Sequence, residues 1–245
     1  MVTHFSQRQT QFSYFDQLLE GPVWSGRKIL DFGGNVGGFL VSAGDQLDHD
    51  DYWCLDVTQA AIDEGRRTFP RAHFVFYNRY SSYFNPNGIR NLPVPDLGLK
   101  FDIILAFSVF THTHQQEMLE LVEQLRSMLV AGGVFAFTFC DPSSDSGVSR
   151  EIESMGETNK PNWCVEVNEK LYFEPGNEFC QQERRGKPGE SYCSYFTASY
   201  MASLFPGATV LPPVSPESQH CCILKSGAQA NLACSSPRVQ AVCGR

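Results

Sequence analysis

Short apolar runs alternate along this chain with segments whose apolar residues recur at helical spacing. Five runs predict strands, at positions 28–31, 52–56, 72–77, 101–107 and 134–139. The fourth run is almost continuously apolar, which is typical of a parallel strand buried on both faces. Strands and helices that alternate in this way indicate a doubly wound α/β sheet.

The segments between these runs predict helices. Phe12, Phe15 and Leu19 would share one face of an N-terminal helix, and further helices are expected from about Gly37 and from Thr58 to before Pro70. A longer helix after position 113 carries an apolar stripe made by Met118, Leu121, Val122, Leu125, Met128 and Leu129. We expect Thr113 and Gln116 to form a capping box at its start, and Gly132 and Gly133 to stop it.

The C-terminal part departs from this alternation. Residues 141–194 are polar and contain Gly and Pro, with a hairpin or loop expected around 165–173. A short helix at 197–205 and strands at 208–211 and 220–225 follow, and the two strands are too close in sequence for a crossover helix. The predicted fold is a doubly wound, mostly parallel, seven-stranded α/β sheet with an antiparallel C-terminal strand pair and an insertion after strand five.

The length of 245 residues and a hydrophobic content of 42% suit one domain better than two. We expect this domain to cover residues 1–225, with 141–194 as an insertion or lid over a ligand site. Trp163, Tyr172 and Phe173 either form apolar walls of that lid or belong to plain core. Residues 226–245 lack acidic and aromatic side chains and are expected to be a disordered tail.

The charge of the chain and the spacing of its cysteines disfavour several kinds of function. The formal net charge of −8 disfavours a nucleic-acid partner, since phosphate backbones are gripped by clustered Lys and Arg. The sequence contains neither a signal peptide nor a run long enough to span a membrane, so a cytoplasmic location is the default expectation. Nine cysteines form no C-x-x-C pair, which favours reduced thiols over disulfides or structural zinc.

The segment 28–39 joins the first strand to a helix through a glycine-rich turn. Asp31 ends the strand, and Gly33 and Gly37 remove side chains where a nucleotide-like ligand would approach the backbone. A dinucleotide-binding turn has glycine at its third position, where this chain has Asn35. Asp56 ends the second strand and can accept both hydroxyls of a ribose. These residues predict a nucleoside ligand and disfavour a nicotinamide one.

Residues 31–37 resemble the first motif of class I S-adenosylmethionine-dependent methyltransferases, with Asn35 replacing the middle glycine. Asn tolerates left-handed backbone geometry, so this departure is mild. Residues 101–112 look like the family's fourth motif, and Leu129-Val-Ala-Gly-Gly133 is similar to its L-x-P-G-G turn. The antiparallel C-terminal pair also suits this family better than a nicotinamide-binding fold.

The resemblance implies S-adenosylmethionine as cofactor, bound across the carboxyl ends of strands one to four. The methionine part would lie over the glycine turn, the ribose at Asp56 and the adenine near Tyr77 and Asn78. The residues expected to bind the cofactor are Asp31, Gly33, Gly34, Asn35, Gly37, Asp56, Val57, Tyr77, Asn78, Phe107 and Ser108.

His112 is the candidate catalytic residue. It stands at the end of strand four, where an acceptor would meet the methyl group, and a histidine pKa suits proton transfer near neutrality. The alternatives are that His112 caps the next helix or lines the adenosine pocket. His112, His114 and Asp141 offer no convincing metal-ligand spacing, so no metal is expected. Tyr77, Tyr80, Tyr83 and Phe84 form either an aromatic pocket wall or plain core.

The favoured function is methylation of an O, N or C atom of a small organic acceptor, in a setting such as natural-product biosynthesis. One alternative is a protein or peptide methyltransferase, for which the negative charge would suit a basic peptide. The other is a methyltransferase-like fold that binds a nucleoside or a partner protein without catalysis. The sequence identifies neither the acceptor nor an oligomeric state.

Overall fold

The computed structural model describes residues 10–141, 164–167, 170–173, 179–183, 192–215 and 218–227. The strands are β1 (Ile29–Phe32), β2 (Tyr52–Asp56), β3 (His73–Phe76), β4 (Phe101–Ala106), β5 (Leu129–Phe139), β6 (Cys164–Val167), β7 (Lys170–Phe173), β8 (Phe179–Glu183), β9 (Tyr192–Phe196), β10 (Thr209–Leu211) and β11 (His220–Lys225). The α-helices are α1 (Gln11–Leu18), α2 (Gly38–Ala43), α3 (Gln59–Thr68), α4 (Gln115–Ser127) and α5 (Ala198–Leu204). A short 3-10 turn, Phe110–His112, follows β4.

Seven strands form one sheet in the order β10-β11-β5-β4-β1-β2-β3. Strands β1 to β5 pair in parallel, whereas β11 runs antiparallel to both β5 and β10. The carboxyl ends of β1, β2, β3, β4 and β5 therefore lie along one edge, and β11 begins at that same edge because His220 pairs with Phe139. This topology confirms the predicted fold class.

The sheet separates two apolar layers. One packs α4 and α5 against the face that carries Leu30, Ile104 and Phe135. The other packs α1 and α2 against the face that carries Ile29, Ile103 and Leu105. Alternate residues of β1 and β4 thus enter opposite layers, as expected for strands covered on both faces.

The predicted boundaries of α4 are wrong at both ends. His114 is the N-cap and makes no side-chain capping bond, while the Thr113 hydroxyl donates instead to the carbonyl of Phe110, 3.3 Å away. The helix ends at Ser127, and Gly132 and Gly133 lie inside β5. Here the pairing of β4 with β5 shifts register, which brings Gly133 close to the backbone of β4: an added Cβ would lie 3.1 Å from the carbonyl of Asp102. The two glycines therefore allow this irregular strand pairing, and they do not end the helix.

The region predicted as an insertion contains two antiparallel hairpins, β6–β7 and β8–β9. The hairpin expected around 165–173 is confirmed by the first of them. A bridge between Cys140 and Tyr195 connects the end of β5 to β9. Trp163, the side chains of Tyr172 and Phe173, and the tail beyond residue 227 lie outside the residues that the structure describes.

Candidate functional site

The turn between β1 and α2 has the backbone that its glycines predict. Gly33, Asn35 and Gly37 all have positive φ, of 79°, 54° and 88°. Asn35 therefore takes the left-handed conformation for which asparagine is one of the better-suited residues. Packing is a second reason for glycine at position 33, because a Cβ there would strike the side chain of Val109. Glycine at position 33 is thus required by the fold itself, before any ligand is considered.

Asp31 lies beneath this turn, inside β1. Its carboxylate is buried and accepts a hydrogen bond of 2.6 Å from the Tyr52 hydroxyl. Burial, opposed by the hydrogen bond from Tyr52 and assisted by the negative charge of Asp56, raises the pKa of Asp31 to about 7. Gly34 lies directly above, where an added Cβ would be 2.5 Å from the Asp31 Oδ2. Asp31 is therefore a buried carboxyl group with a raised pKa, and it lies directly beneath the turn.

Asp56 ends β2 and holds two loops. Its Oδ2 accepts from the backbone N–H of Asn35 at 2.9 Å, and its Oδ1 accepts from the N–H of Thr58 at 2.7 Å. Burial raises the pKa of Asp56, and the N–H groups of Thr58, Asn35 and Val57 oppose that shift. Val57, which follows, packs partly buried against the α4 layer. The carboxylate thus links the glycine turn to the start of α3.

Tyr77 and Asn78 follow β3 at the same edge. The Tyr77 ring is only 2% exposed and packs against Phe32, and its hydroxyl donates to the Leu92 carbonyl across 2.5 Å. The Tyr77 N–H donates to the Asp56 carbonyl at 2.8 Å. Asn78 is half-buried. With the Tyr77 ring in the core, the predicted adenine contact at this position is left to its backbone and to Asn78.

The end of β4 carries a polar network that sequence reasoning missed. Ser108 has a φ of 55°, and its N–H donates to the Thr138 hydroxyl at 2.7 Å. The Thr138 hydroxyl donates in turn to the Gln219 side chain at 2.6 Å, and the Gln219 amide donates back to the Ser108 hydroxyl at 3.1 Å. The Tyr14 hydroxyl donates to the Gln219 carbonyl at 2.8 Å. Four segments far apart in sequence therefore fix the backbone at Ser108.

Phe107 and His112 flank this network. Phe107 packs edge-on against Tyr14 and Phe15 of α1, with ring centroids 5.5 and 6.1 Å apart. His112 ends the 3-10 turn after β4, is half-buried, and its ring lies 5.5 Å from that of Phe84. The structure thus places His112 at the sheet edge shared by Asp31 and Asp56, next to an aromatic side chain.

A second histidine lies at this edge. His220 begins β11, is buried, and its Nδ1 has no hydrogen-bond partner in the described part of the chain. Burial lowers the pKa of His220, and the nearby Asp141 carboxylate opposes that shift. Asp141 is also buried and accepts from the Ala198 N–H at 2.9 Å, which holds the start of α5. Sequence reasoning did not find His220, because a single histidine at the start of a strand matches no motif.

The described residues include neither a metal-binding cluster nor a membrane-spanning helix. Within the ranges that the structure describes, no group of three His, Cys, Asp or Glu side chains could hold a metal ion. None of the helices described is both long enough and apolar enough to cross a membrane.

One family model matches the central part of the sheet. Residues 30–135, from β1 into β5, match the family model of a methyltransferase domain. None of the curated protein sequences compared with the chain matches it.

Solved methyltransferase structures share the fold. An S-adenosylmethionine-dependent methyltransferase from Clostridium acetobutylicum is 13% identical, with a TM-score of 0.51 over 87% of this chain and 89% of that one. The glycopeptide N-methyltransferase MtfA, complexed with sinefungin, is 12% identical, with a TM-score of 0.53 over 87% and 91%. Magnesium protoporphyrin IX methyltransferase from Synechocystis, with bound S-adenosylhomocysteine, is 10% identical, with a TM-score of 0.50 over 85% and 78%. At these identities the likeness is one of fold.

Proposed function

We propose that this chain, which is a class I S-adenosylmethionine-dependent methyltransferase, methylates an O, N or C atom of a small organic acceptor. The observation that carries the proposal is the contact between His112 and Phe84 at the end of β4. It offers one titratable side chain beside an apolar surface, which suits an organic molecule better than a charged polymer. The net charge of −8 supports the exclusion of nucleic acid.

The residues at the edge of the sheet fit the cofactor. Asp56 accepts one backbone N–H on each oxygen, and a carboxylate has about four acceptor positions, so capacity for the two ribose hydroxyls remains. The glycines at positions 33, 34 and 37 leave the backbone that would face the methionine part without side chains. When bound, the cofactor supplies a methyl group already activated by its sulfonium charge. Ser108, fixed by Thr138 and Gln219, would contribute backbone on the far side.

His112 is proposed to take the proton of an acceptor that must lose one. The residue needs to lie within hydrogen-bond reach of the acceptor, and its place after β4 at the cofactor edge supports this role. Transfer itself mainly requires that the acceptor atom be held in line with the methyl group and that water be excluded.

Similar structures support an organic acceptor. Two of them are a glycopeptide N-methyltransferase and a magnesium protoporphyrin IX methyltransferase, so methyltransferases of this fold include ones named for a glycopeptide and for a porphyrin. A peptide acceptor is the second candidate function, and the negative charge of the chain would favour a basic one.

Two measurements test the proposal. Isothermal titration with S-adenosylhomocysteine, with NAD as control, should show binding of the first ligand alone. Release of S-adenosylhomocysteine in the presence of a library of phenols, amines and carboxylic acids should then exceed release with a library of Lys- and Arg-rich peptides. Cofactor binding without turnover of either library would favour the non-catalytic alternative, and turnover of peptides alone would favour the peptide methyltransferase.

A further inference from the structure

The loop after β3, residues 80–90, is tightly built. Tyr80 and Ile89 pair through their backbones at 3.0 Å, and Ser81 and Asn85 exchange two backbone hydrogen bonds at 3.0 and 3.1 Å. The Asn85 side chain donates to the Arg79 carbonyl at 3.1 Å, and a Cβ on Gly88 would lie 2.5 Å from that same carbonyl. These hydrogen bonds and close contacts therefore determine the shape of the loop.

The base of the 80–90 loop is fixed to α4. Arg79 is buried, and its guanidinium donates to the Glu117 carboxylate at 2.8 Å and to the Leu92 carbonyl at 2.6 Å. Glu120 lies 3.5 Å away on the next turn of the helix. Breaking such a buried, hydrogen-bonded pair is costly, so the loop keeps a constant position relative to His112, which precedes α4.

Despite this order, the loop exposes large apolar side chains. Tyr83 is 44% exposed, Phe84 42% and Ile89 53%, and they make up half of the six large hydrophobic residues that are exposed in the described structure. The rings of Tyr83 and Phe84 also touch, with centroids 4.8 Å apart. Clustered apolar side chains on an ordered surface indicate a binding site, whereas single exposed ones need no explanation.

The same loop also carries a cationic side chain. The guanidinium of Arg90 lies 3.7 Å from the centroid of the Tyr80 ring. Arg66, Arg67 and Arg71 on the surface all pair with carboxylates, but Arg90 has no ion pair within the described residues. In a chain of net charge −8, a cation that is held against an aromatic ring and forms no ion pair among the described residues is suited to an anionic group of a ligand.

We propose that Tyr83, Phe84, Ile89 and Arg90 form the acceptor-recognition surface, and that the acceptor is a flat apolar or aromatic molecule carrying an anionic group. The Phe84 ring touches His112, so a molecule seated on this surface lies beside the residue proposed to receive its proton. This inference rests on the proposed function, because it names the acceptor class of the same site.

The test uses two fluorescent probes that share their rings. 8-Anilinonaphthalene-1-sulfonate is aromatic and anionic, and N-phenyl-1-naphthylamine lacks the sulfonate. Both are titrated into protein saturated with S-adenosylhomocysteine, so that neither probe occupies the adenosine site. Phe84→Ala should weaken both probes by about tenfold through lost apolar burial. Arg90→Gln should weaken the sulfonate probe by about threefold and leave the neutral probe unchanged.

Matched controls isolate the surface. Val41→Ala removes an apolar side chain that is 64% exposed on α2, and Arg67→Gln removes a charge from α3. Both controls should bind the two probes as the wild type does. Circular dichroism and thermal unfolding of every variant exclude misfolding as the cause of a change.

The outcomes separate the two claims. If the wild type fails to bind S-adenosylhomocysteine, the proposed function falls and this inference falls with it. If that ligand binds but Phe84→Ala and Arg90→Gln bind the probes like the controls, only the inference is overturned. Sedimentation supplies a third result: a dimer that dissociates in Phe84→Ala would assign the surface to a second copy of the chain and overturn the acceptor role.

Discussion

The backbone N–H of Asn35 donates to the Asp56 carboxylate across 2.9 Å, so the side chain proposed to bind the ribose also holds the glycine-rich turn. The opposite oxygen of that carboxylate accepts from Thr58 at the start of α3. Cofactor affinity and the shape of the turn are therefore coupled through Asp56.

This coupling predicts different results for two substitutions of Asp56. Asp56→Asn keeps an acceptor for one backbone N–H and should weaken S-adenosylhomocysteine binding by about 1.5 kcal/mol, whereas Asp56→Ala should lose about 3 kcal/mol because the turn also loses its anchor. Calorimetry on both variants measures the difference. Unchanged affinity in both folded variants would remove Asp56 from the cofactor site.

Gly33→Ala should destabilise the protein as well as weaken cofactor binding, since the new Cβ strikes Val109 and the position has positive φ. Gly98→Ala is the matched control, because Gly98 has a φ of 72° and open space around its Cβ position. We expect the control to lose about 1 kcal/mol of unfolding free energy and Gly33→Ala about twice that or more. Equal losses in urea unfolding would show that the contact with Val109 is unimportant.

The buried Asp31 predicts a pH-dependent stability. Its pKa is raised to about 7 in the folded chain by burial, so between pH 4 and 7 the folded state holds a proton that the unfolded state has lost. The free energy of unfolding should therefore fall as pH rises through this window, by up to about 4 kcal/mol from this residue alone. Asp31→Asn should be more stable than the wild type at pH 8 and closely similar at pH 4.

Urea unfolding at both pH values checks this prediction. Tyr52→Phe is a useful companion, because the Tyr52 hydroxyl lowers the Asp31 pKa and its loss should deepen the penalty at pH 8. A variant Asp31→Asn that is less stable than the wild type by the same amount at pH 4 and pH 8 would contradict the account.

His112→Ala should slow methyl transfer by about 10²–10⁴-fold for an acceptor that must lose a proton, with S-adenosylhomocysteine affinity nearly unchanged. His114→Ala is the control, since His114 is two residues away and makes no side-chain capping bond to α4. Single-turnover rates give the chemical step directly. Rates of the His112 variant within a few-fold of those of the control would exclude proton abstraction by this residue.

The sequence was sufficient for the centre of the sheet because the parallel strands β1, β2 and β4 are buried on both faces and so appear as apolar runs. The substitution of Asn35 for the middle glycine is expected to be mild because asparagine tolerates left-handed geometry, and Asn35 does have a φ of 54°. Sequence reasoning failed where structure depends on distant partners. The glycines at 132 and 133 read as a helix stop because the register shift between β4 and β5 is visible only in the paired strands.

Some residues of the site could likewise be predicted from the sequence, and others could not. Asp31 and Asp56 are local features, each an acidic residue at the end of an apolar run, and the structure brings them to one edge. The bonds from Gln219 to Thr138 and Ser108 span 81 and 111 residues, and no local pattern marks a glutamine as their centre. The burial of the Tyr77 ring was likewise unpredictable, because an aromatic residue after a strand can face either core or cleft.

The bond from the Tyr14 hydroxyl to the Gln219 carbonyl joins residues 205 positions apart, and β11, which follows Gln219, pairs directly with β5. During synthesis the strands β1 to β4 can pair as they emerge, but the backbone at Ser108 lacks its final support until residue 219 has left the ribosome. The backbone at Ser108, in the proposed acceptor part of the site, is therefore expected to reach its final structure last. A chain stalled before that point would carry the glycine turn and Asp56 without the hydrogen bond from Gln219 to Ser108.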